Sequence, residues 1–256
     1  MDFTLLLYKE LLEALMDRKY YFQPLAEFLT SPEKKSIVLR HDVDLLPKNS
    51  LAFAKIQNEL GIRGVYYFRA VPESWDELII REIANLGHEI GYHYECLTTC
   101  KGDMQKGIMD FEKNLLALRQ LVPIHTICMH GSPMSKHDSK DLWKTYSYRD
   151  FGIVGEPYFD VNFSQVLYLT DTGRRWNGGD VSVRDKVNNQ SFGHSFRTTN
   201  DIIRALHQSK LPNQIMFTFH PQRWDDNPWP WAKELVLQNV KNVVKKYFFV
   251  KNKEKS

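Results

Sequence analysis

Along this chain, short apolar runs alternate with longer stretches in which apolar residues return every three or four positions. The short runs read as strands: "SIVLRHDVD" at 36–44, "GVYYFRA" at 64–70, "GHEIGYHYE", "IHTICMH" at 124–130, "FGIVGE", "QVLYLTD" and "NQIMFTFH". The longer ones read as helices. Leu5, Tyr8, Leu12 and Leu15 predict an amphipathic helix within a helical extension over 1–31. Pro47 opens a second helix, with Ala52, Phe53, Ile56 and Leu60 on one face. A third is expected from Ser74, as N-cap with Glu77 completing a capping box, to Leu86. Met104, Ile108, Phe111, Leu115 and Leu118 mark a helix over 103–121, and shorter ones are expected within 138–146 and over 200–208. A closing helix over 229–248 sets Val236, Val240, Val243 and Tyr247 on one side, and 172–198 is a polar excursion. Strands separated by helices predict an α/β fold with a parallel sheet, and about seven strands suit a closed or nearly closed barrel in a single domain over 1–256, its core motifs spanning 36–224.

Composition narrows this picture a little. Hydrophobic residues make up 43% and charged residues 25%, ordinary for a domain with a full core. The net charge of +3 is too mild for nucleic acid, and the basic tail "KNVVKKYFFVKNKEKS" reads as a fraying helix end. No window approaches 18 continuous apolar residues, so no transmembrane segment is expected. Asp2 stands where a secretion signal carries basic residues, and Lys9 and Glu10 break the apolar run, which predicts a cytoplasmic protein. Cys96, Cys100 and Cys128 are odd in number without a CxxC pair and read as reduced thiols.

The chemistry is expected where parallel strands end, because such barrels carry their sites at the C-terminal ends of strands. Asp42, Asp44, His93, His130, Asp171 and His220 all fall there. In the first strand Arg40, Asp42 and Asp44 share a face, and two carboxylates aimed at one spot repel unless something binds them. A divalent metal resolves that repulsion; capping of the next helix is the alternative for the pair. In "GHEIGYHYE", alternation delivers His93 to the strand end and leaves His88 as a packed, hydrogen-bonded histidine. His220, stopped by Pro221, suits general acid work, or a hydrogen bond to a loop carbonyl. Arg174 and Arg175 could grip phosphate or carboxylate, or brace their loop with Asp171, while Trp176 offers a flat face and Trp224 a pocket wall.

From Ser36 to about Trp224, these residues resemble the polysaccharide deacetylase, or NodB-homology, family of carbohydrate esterases. "HDVD" is similar to its aspartate pair, which implies Asp42 as catalytic base and Asp44 as metal ligand. "GHEIGYH" is similar to its second motif and implies His93 as a ligand. Where the family has another histidine four residues on, this chain has Leu97, so His130 becomes the third ligand, with Glu95 as the alternative. His130 itself stands in the region where the family has an arginine that holds the base. "FTFHPQRW" resembles the final motif, which implies that His220 protonates the leaving amine, and "DTGRRW" lies at the groove motif, its double arginine suggesting an anionic substrate. The branch with "RHDVD" and "HEIGYHYE", associated with polysaccharide biosynthesis, is the most similar. The resemblance implies a distorted (β/α)7 barrel, one divalent ion (zinc, with cobalt, nickel or manganese as options), and removal of an acetyl or formyl group from an N-acylated sugar or sugar phosphate. Leu97 leaves room for an impaired glycan- or partner-binding pseudoenzyme, and a non-sugar amide is the remaining alternative substrate.

Overall fold

The computed structural model describes residues 1–132, 135–176, 187 and 192–245. Helix α1 (Leu5–Asp17) leads through β1 (Tyr21–Phe22) and α2 (Leu25–Thr30) to β2 (Ser36–Val43). Then come α3 (Pro47–Glu59), β3 (Val65–Phe68), α4 (Glu77–Asn85), β4 (Glu89–Tyr94), α5 (Cys96–Thr99) and α6 (Met104–Arg119). The second half holds β5 (Ile127–Met129), α7 (Pro157–Asp160), β6 (Leu167–Thr170), α8 (Thr199–His207), β7 (Gln214–Phe219) and α9 (Pro228–Lys245), with short 3-10 turns at Ser139–Lys144, Tyr148–Phe151 and Pro221–Arg223. All the pairings are parallel, in the order β5-β4-β3-β2-β7-β6, with β1 added beside β2. The fold is thus an α/β distorted barrel of seven strands. Among the described residues β5 and β6 do not pair, so the ladder is open there.

Alternation splits the sheet into two layers. One face carries Ile37, Leu39, Tyr66, Phe68, Ile90, Tyr92, Phe217 and Phe219 into the large core against the helices. The other carries Val38, Val65, Tyr67, Cys128, Tyr168 and Met216 into a smaller apolar cluster. Along β2 this inner face continues from Val38 to Arg40 and Asp42, both buried. Gly91 belongs to it because it pairs with Tyr67, whose ring lies over it: a Cβ at 91 would sit 2.2 Å from Tyr67 Cε1. The glycine therefore lets β4 lie flat under that ring, two residues before His93.

Several local expectations are corrected. Asp76, not Ser74, caps α4, accepting from Ile79 N at 3.1 Å. The Ser74 hydroxyl instead donates to Val43 O and accepts from Arg69 N, tying down the end of β2. On α3 the buried residues are Ser50, Phe53, Ala54 and Gln57. The stripe is rotated toward Gln57 because its amide is needed inside, bonded to Tyr8 Oη and facing His41 Nε2 at 2.8 Å. The "FGIVGE" run forms no strand and touches the sheet through one bridge, Thr126 to Gly155. The seventh strand is β1 instead.

What holds the "FGIVGE" segment is Glu156. Its buried carboxyl accepts from Met129 N at 3.1 Å and from Tyr158 N at 2.6 Å, joining the end of β5 to α7. Burial pushes this carboxyl up to about 7, against the lowering by those backbone donors and by Arg40. A carboxyl that holds its proton more tightly folded than unfolded stabilises the protein at acid pH, and that contribution is lost as pH rises toward 7. The stability difference between the protein and Glu156→Gln is therefore expected to shrink by about 3 kcal/mol from pH 4 to pH 8, read by urea unfolding at each pH. A pH-independent difference would show that Glu156 titrates alike in the folded and unfolded chain.

Candidate metal centre

The centre is built on β2. Arg40 and Asp42, two apart on one face, form a bidentate pair: Arg40 Nε donates to Asp42 Oδ1 at 2.8 Å and Nη2 to Oδ2 at 2.7 Å. Both side chains are almost wholly buried, and Tyr158 covers the guanidinium. Asp44 follows where the strand gives out. It is only partly covered, and Gln222 Nε2 donates to its Oδ2 at 3.2 Å.

Three histidines converge on these carboxylates, each held from behind. His93 Nδ1 lies 2.9 Å from Cys128 O, which can only accept, so Nδ1 carries the proton and Nε2 the lone pair. That Nε2 is 3.5 Å from Asp44 Oδ1 and 3.7 Å from Asp42 Oδ2. His130 Nδ1 donates to Glu95 Oε2 at 2.8 Å, and its Nε2 is 3.6 Å from Asp44 Oδ1. Glu95 is gripped in turn by Arg69 at 2.6 and 2.8 Å; although burial would raise it, the His130 and Arg69 partners bring it down to about 2. His220 Nδ1 donates to Asp171 Oδ1 at 2.5 Å, leaving Nε2 3.9 Å from Asp44 Oδ2 and 4.0 Å from Asp42 Oδ2. Burial would likewise raise Asp44; protonated imidazoles at His93, His130 and His220 would override it and hold the carboxyl well below the usual range.

This donor set fits a divalent ion. Asp44 Oδ1 is buried and accepts no hydrogen bond, and the two imidazole nitrogens nearest it present lone pairs. Lone pairs facing one another are unfavourable until a cation sits among them. Ligands about 2.0–2.2 Å from an ion stand roughly 3–3.6 Å apart around it, the spacing seen between Asp44 Oδ1 and each imidazole. A second buried set shares His93: ligand atoms of Asp42, His93 and Cys128 lie within 4.8 Å of one another and could also hold a metal.

Comparison with known proteins separates fold from sequence. No protein-family model matches the chain. No curated protein matches it either. Solved structures do. The chain is similar to a CE4 family pseudoenzyme from Bacillus anthracis, at 11% identity and a TM-score of 0.42, over 84% of this chain and 63% of that one. It is similar to a family 4 carbohydrate esterase from the same organism, at 8% identity and a TM-score of 0.41, over 92% and 86%. PdaA of Bacillus subtilis, also a family 4 carbohydrate esterase, gives 13% and 0.40, over 90% and 82%. The chain spans just under two thirds of the length of the pseudoenzyme it matches.

The remaining expected site residues lie elsewhere. Trp224 has no exposed surface; its Nε1 donates to Asp171 Oδ2 at 2.7 Å, so it buttresses the support of His220 and walls no pocket. Trp176 is also buried, stacked on Phe3 and edge-on to Phe217 and Phe219, with Nε1 donating to Thr199 Oγ1. Arg174 is buried over the Trp231 ring and donates to Trp231 O at 2.6 Å, which corrects its expected place on a substrate phosphate. Arg175 is half-buried, and the rest of its loop, from Asn177 to Asp180, lies outside the described residues. Leu97 packs in the core beside Gly107, so no ligand position is vacant there. His88 is the packed histidine expected of it, accepting from Gly64 N and facing Ala54 O. Two supports went unassigned in the sequence, Arg40 behind Asp42 and Arg69 behind Glu95. Alternation had already put Arg40 on the right face, whereas nothing near Arg69 marked it.

Proposed function

We propose that this protein is a metal-dependent hydrolase that removes an N-acyl group, acetyl or formyl, from an amino sugar. The observation carrying that reading is the meeting of two carboxylates and three imidazole Nε2 atoms at the ends of β2, β4, β5 and β7, every imidazole fixed through Nδ1. Asp44, His93 and His130 are the ligands; a divalent ion there supplies polarisation of the acyl carbonyl and a more acidic water. These three are preferred to Asp42, His93 and Cys128 because both oxygens of Asp42 are engaged by Arg40, while Asp44 Oδ1 has no donor. Asp42, aimed by Arg40, accepts the proton of the attacking water as the carbon–oxygen bond forms. His220, oriented and charge-balanced by Asp171, gives its Nε2 proton to the nitrogen as the carbon–nitrogen bond breaks, releasing the amine.

Metal analysis tests the assignment. Stoichiometric metal is expected in the reconstituted protein and in Cys128→Ser, and its loss in Asp44→Asn and His130→Ala; Glu95→Gln should weaken binding about 10–100-fold. Metal retained by Asp44→Asn but lost by Cys128→Ser would move the ion to the other set. The reaction is tested by release of acetate or formate from N-acyl amino sugars, with simple amides as the control. Metal-loaded protein that cleaves none of them is a binding protein of this fold.

A further inference from the structure

Helix α9 is amphipathic in the reverse sense. The sequence sets Val236, Val240 and Val243 on one side of it, and Tyr247 lies outside the described residues. The structure turns that side outward: Val236, Leu237, Val240 and Val243 are 63%, 44%, 59% and 57% exposed. Trp229, in the first turn, is 84% exposed. The inward side is polar. Gln238 and Asn242 are buried and bonded to each other, and Asn242 Nδ2 donates to Gly173 O at 2.8 Å. These bonds fix which way the helix faces, so the apolar stripe cannot roll inward without stranding two buried amides.

Charge tells what covers the stripe. Residues 228–256 hold seven lysines, at 233, 241, 245, 246, 251, 253 and 255, against Glu234 and Glu254, a net +5. Residues 1–227 hold the remaining 27 Lys and Arg against 29 Asp and Glu, a net −2. The positive charge of the chain is thus gathered in the stretch of sequence that holds the exposed stripe, with Tyr247, Phe248, Phe249 and Val250 following α9 in sequence. A second copy packed on this face would set +5 against +5. An anionic bilayer meets both properties at once, taking the apolar stripe and Trp229 at the level of its headgroups and drawing the lysines to its phosphates.

We propose that α9, with the lysine-rich sequence after it, docks the protein on an anionic lipid bilayer. This is surface attachment: no helix among the described residues is long and apolar enough to cross a membrane. A cleft of about 810 Å³ lies between Trp229, Trp231 and Leu237 on one side and Leu45 and Leu46, directly after Asp44, on the other. The docked face therefore adjoins the candidate metal centre, though docking does not depend on the reaction proposed there.

Vesicle co-sedimentation tests this. The full chain is expected to pellet with phosphatidylcholine vesicles containing about a quarter phosphatidylglycerol, not with pure phosphatidylcholine, and to be released by high salt. The exposed-site variant Val236→Ser/Val240→Ser/Val243→Ser should bind more than about tenfold more weakly, and Lys233→Gln/Lys241→Gln on the order of tenfold. In the unmodified protein, brominated acyl chains should quench tryptophan emission, and Trp229→Phe should remove most of that quenching, a readout independent of how the triple variant folds. No pelleting with anionic vesicles, or pelleting unaltered in the triple variant, overturns the proposal. So does a dimer in buffer that the triple variant converts to monomer, since a second copy would then cover the face.

Discussion

Asp42→Asn is expected to lower turnover on the order of 10³-fold, because an amide cannot take the proton of the attacking water. The same change should also cost stability. Arg40 is almost wholly buried, and its fork is matched to two carboxylate oxygens. Turning one oxygen into an NH2 group faces donor with donor and strips a buried cation of its countercharge, a loss of about 3–5 kcal/mol. The two effects separate in a cycle. Arg40→Met/Asp42→Asn should recover most of the midpoint in thermal unfolding while turnover stays low. If Asp42→Asn turns over at the unmodified rate, Asp42 is not the base. If the double variant is no more stable than the single one, the pair is not what the guanidinium depends on.

The second large effect is expected at Asp171. Its buried carboxylate serves four donors: His220 N at 2.9 Å, His220 Nδ1, Arg223 Nη1 at 2.9 Å and Trp224 Nε1 at 2.7 Å. Burial would raise this carboxyl, but His220 and Arg223 hold it below the usual range. Asp171→Ala leaves Arg223 buried and unpaired, and should cost about 3–5 kcal/mol in urea unfolding. Asp171→Asn keeps the volume but withdraws the charge that balances a protonated His220. Its turnover should fall about 10²–10⁴-fold with the fold retained. A fall in stability with turnover unchanged would make Asp171 structural only.

Much of this centre was legible because period-two alternation is rigid. Once "SIVLRHDVD" and "GHEIGYHYE" are strands, Asp42, Asp44 and His93 must share a face, and His88 must not. What escaped depends on tertiary geometry. "FGIVGE" has the apolar content of a strand, yet one buried carboxyl at Glu156 draws its backbone off the sheet. Trp176 reads as an open flat face and Trp224 as a pocket wall only while their surroundings are unknown; inside, each indole N–H has an acceptor, which makes full burial affordable. Alpha9 shows the limit of periodicity most plainly. A stripe of valines gives the phase of a helix but not its direction, and here the buried amides Gln238 and Asn242 decide it. Glu95, the alternative to His130 as third ligand, is a carboxylate near His93, but Arg69 and His130 hold its two oxygens.

The strand order carries a consequence for synthesis. β2 lies between β3, which follows it closely, and β7, whose partners are about 180 residues later, as in Ser36 with Gln214. On the ribosome, Asp44, His93 and His130 are all made long before His220, so the half that carries the proposed metal ligands can assemble while the half that carries the proposed proton donor is still untranslated. During that interval one edge of β2 has no neighbour, and a strand destined for full burial with a bare edge invites association with other nascent chains. A chaperone that shields this edge until residues 214–219 emerge would raise the soluble yield more than added metal would.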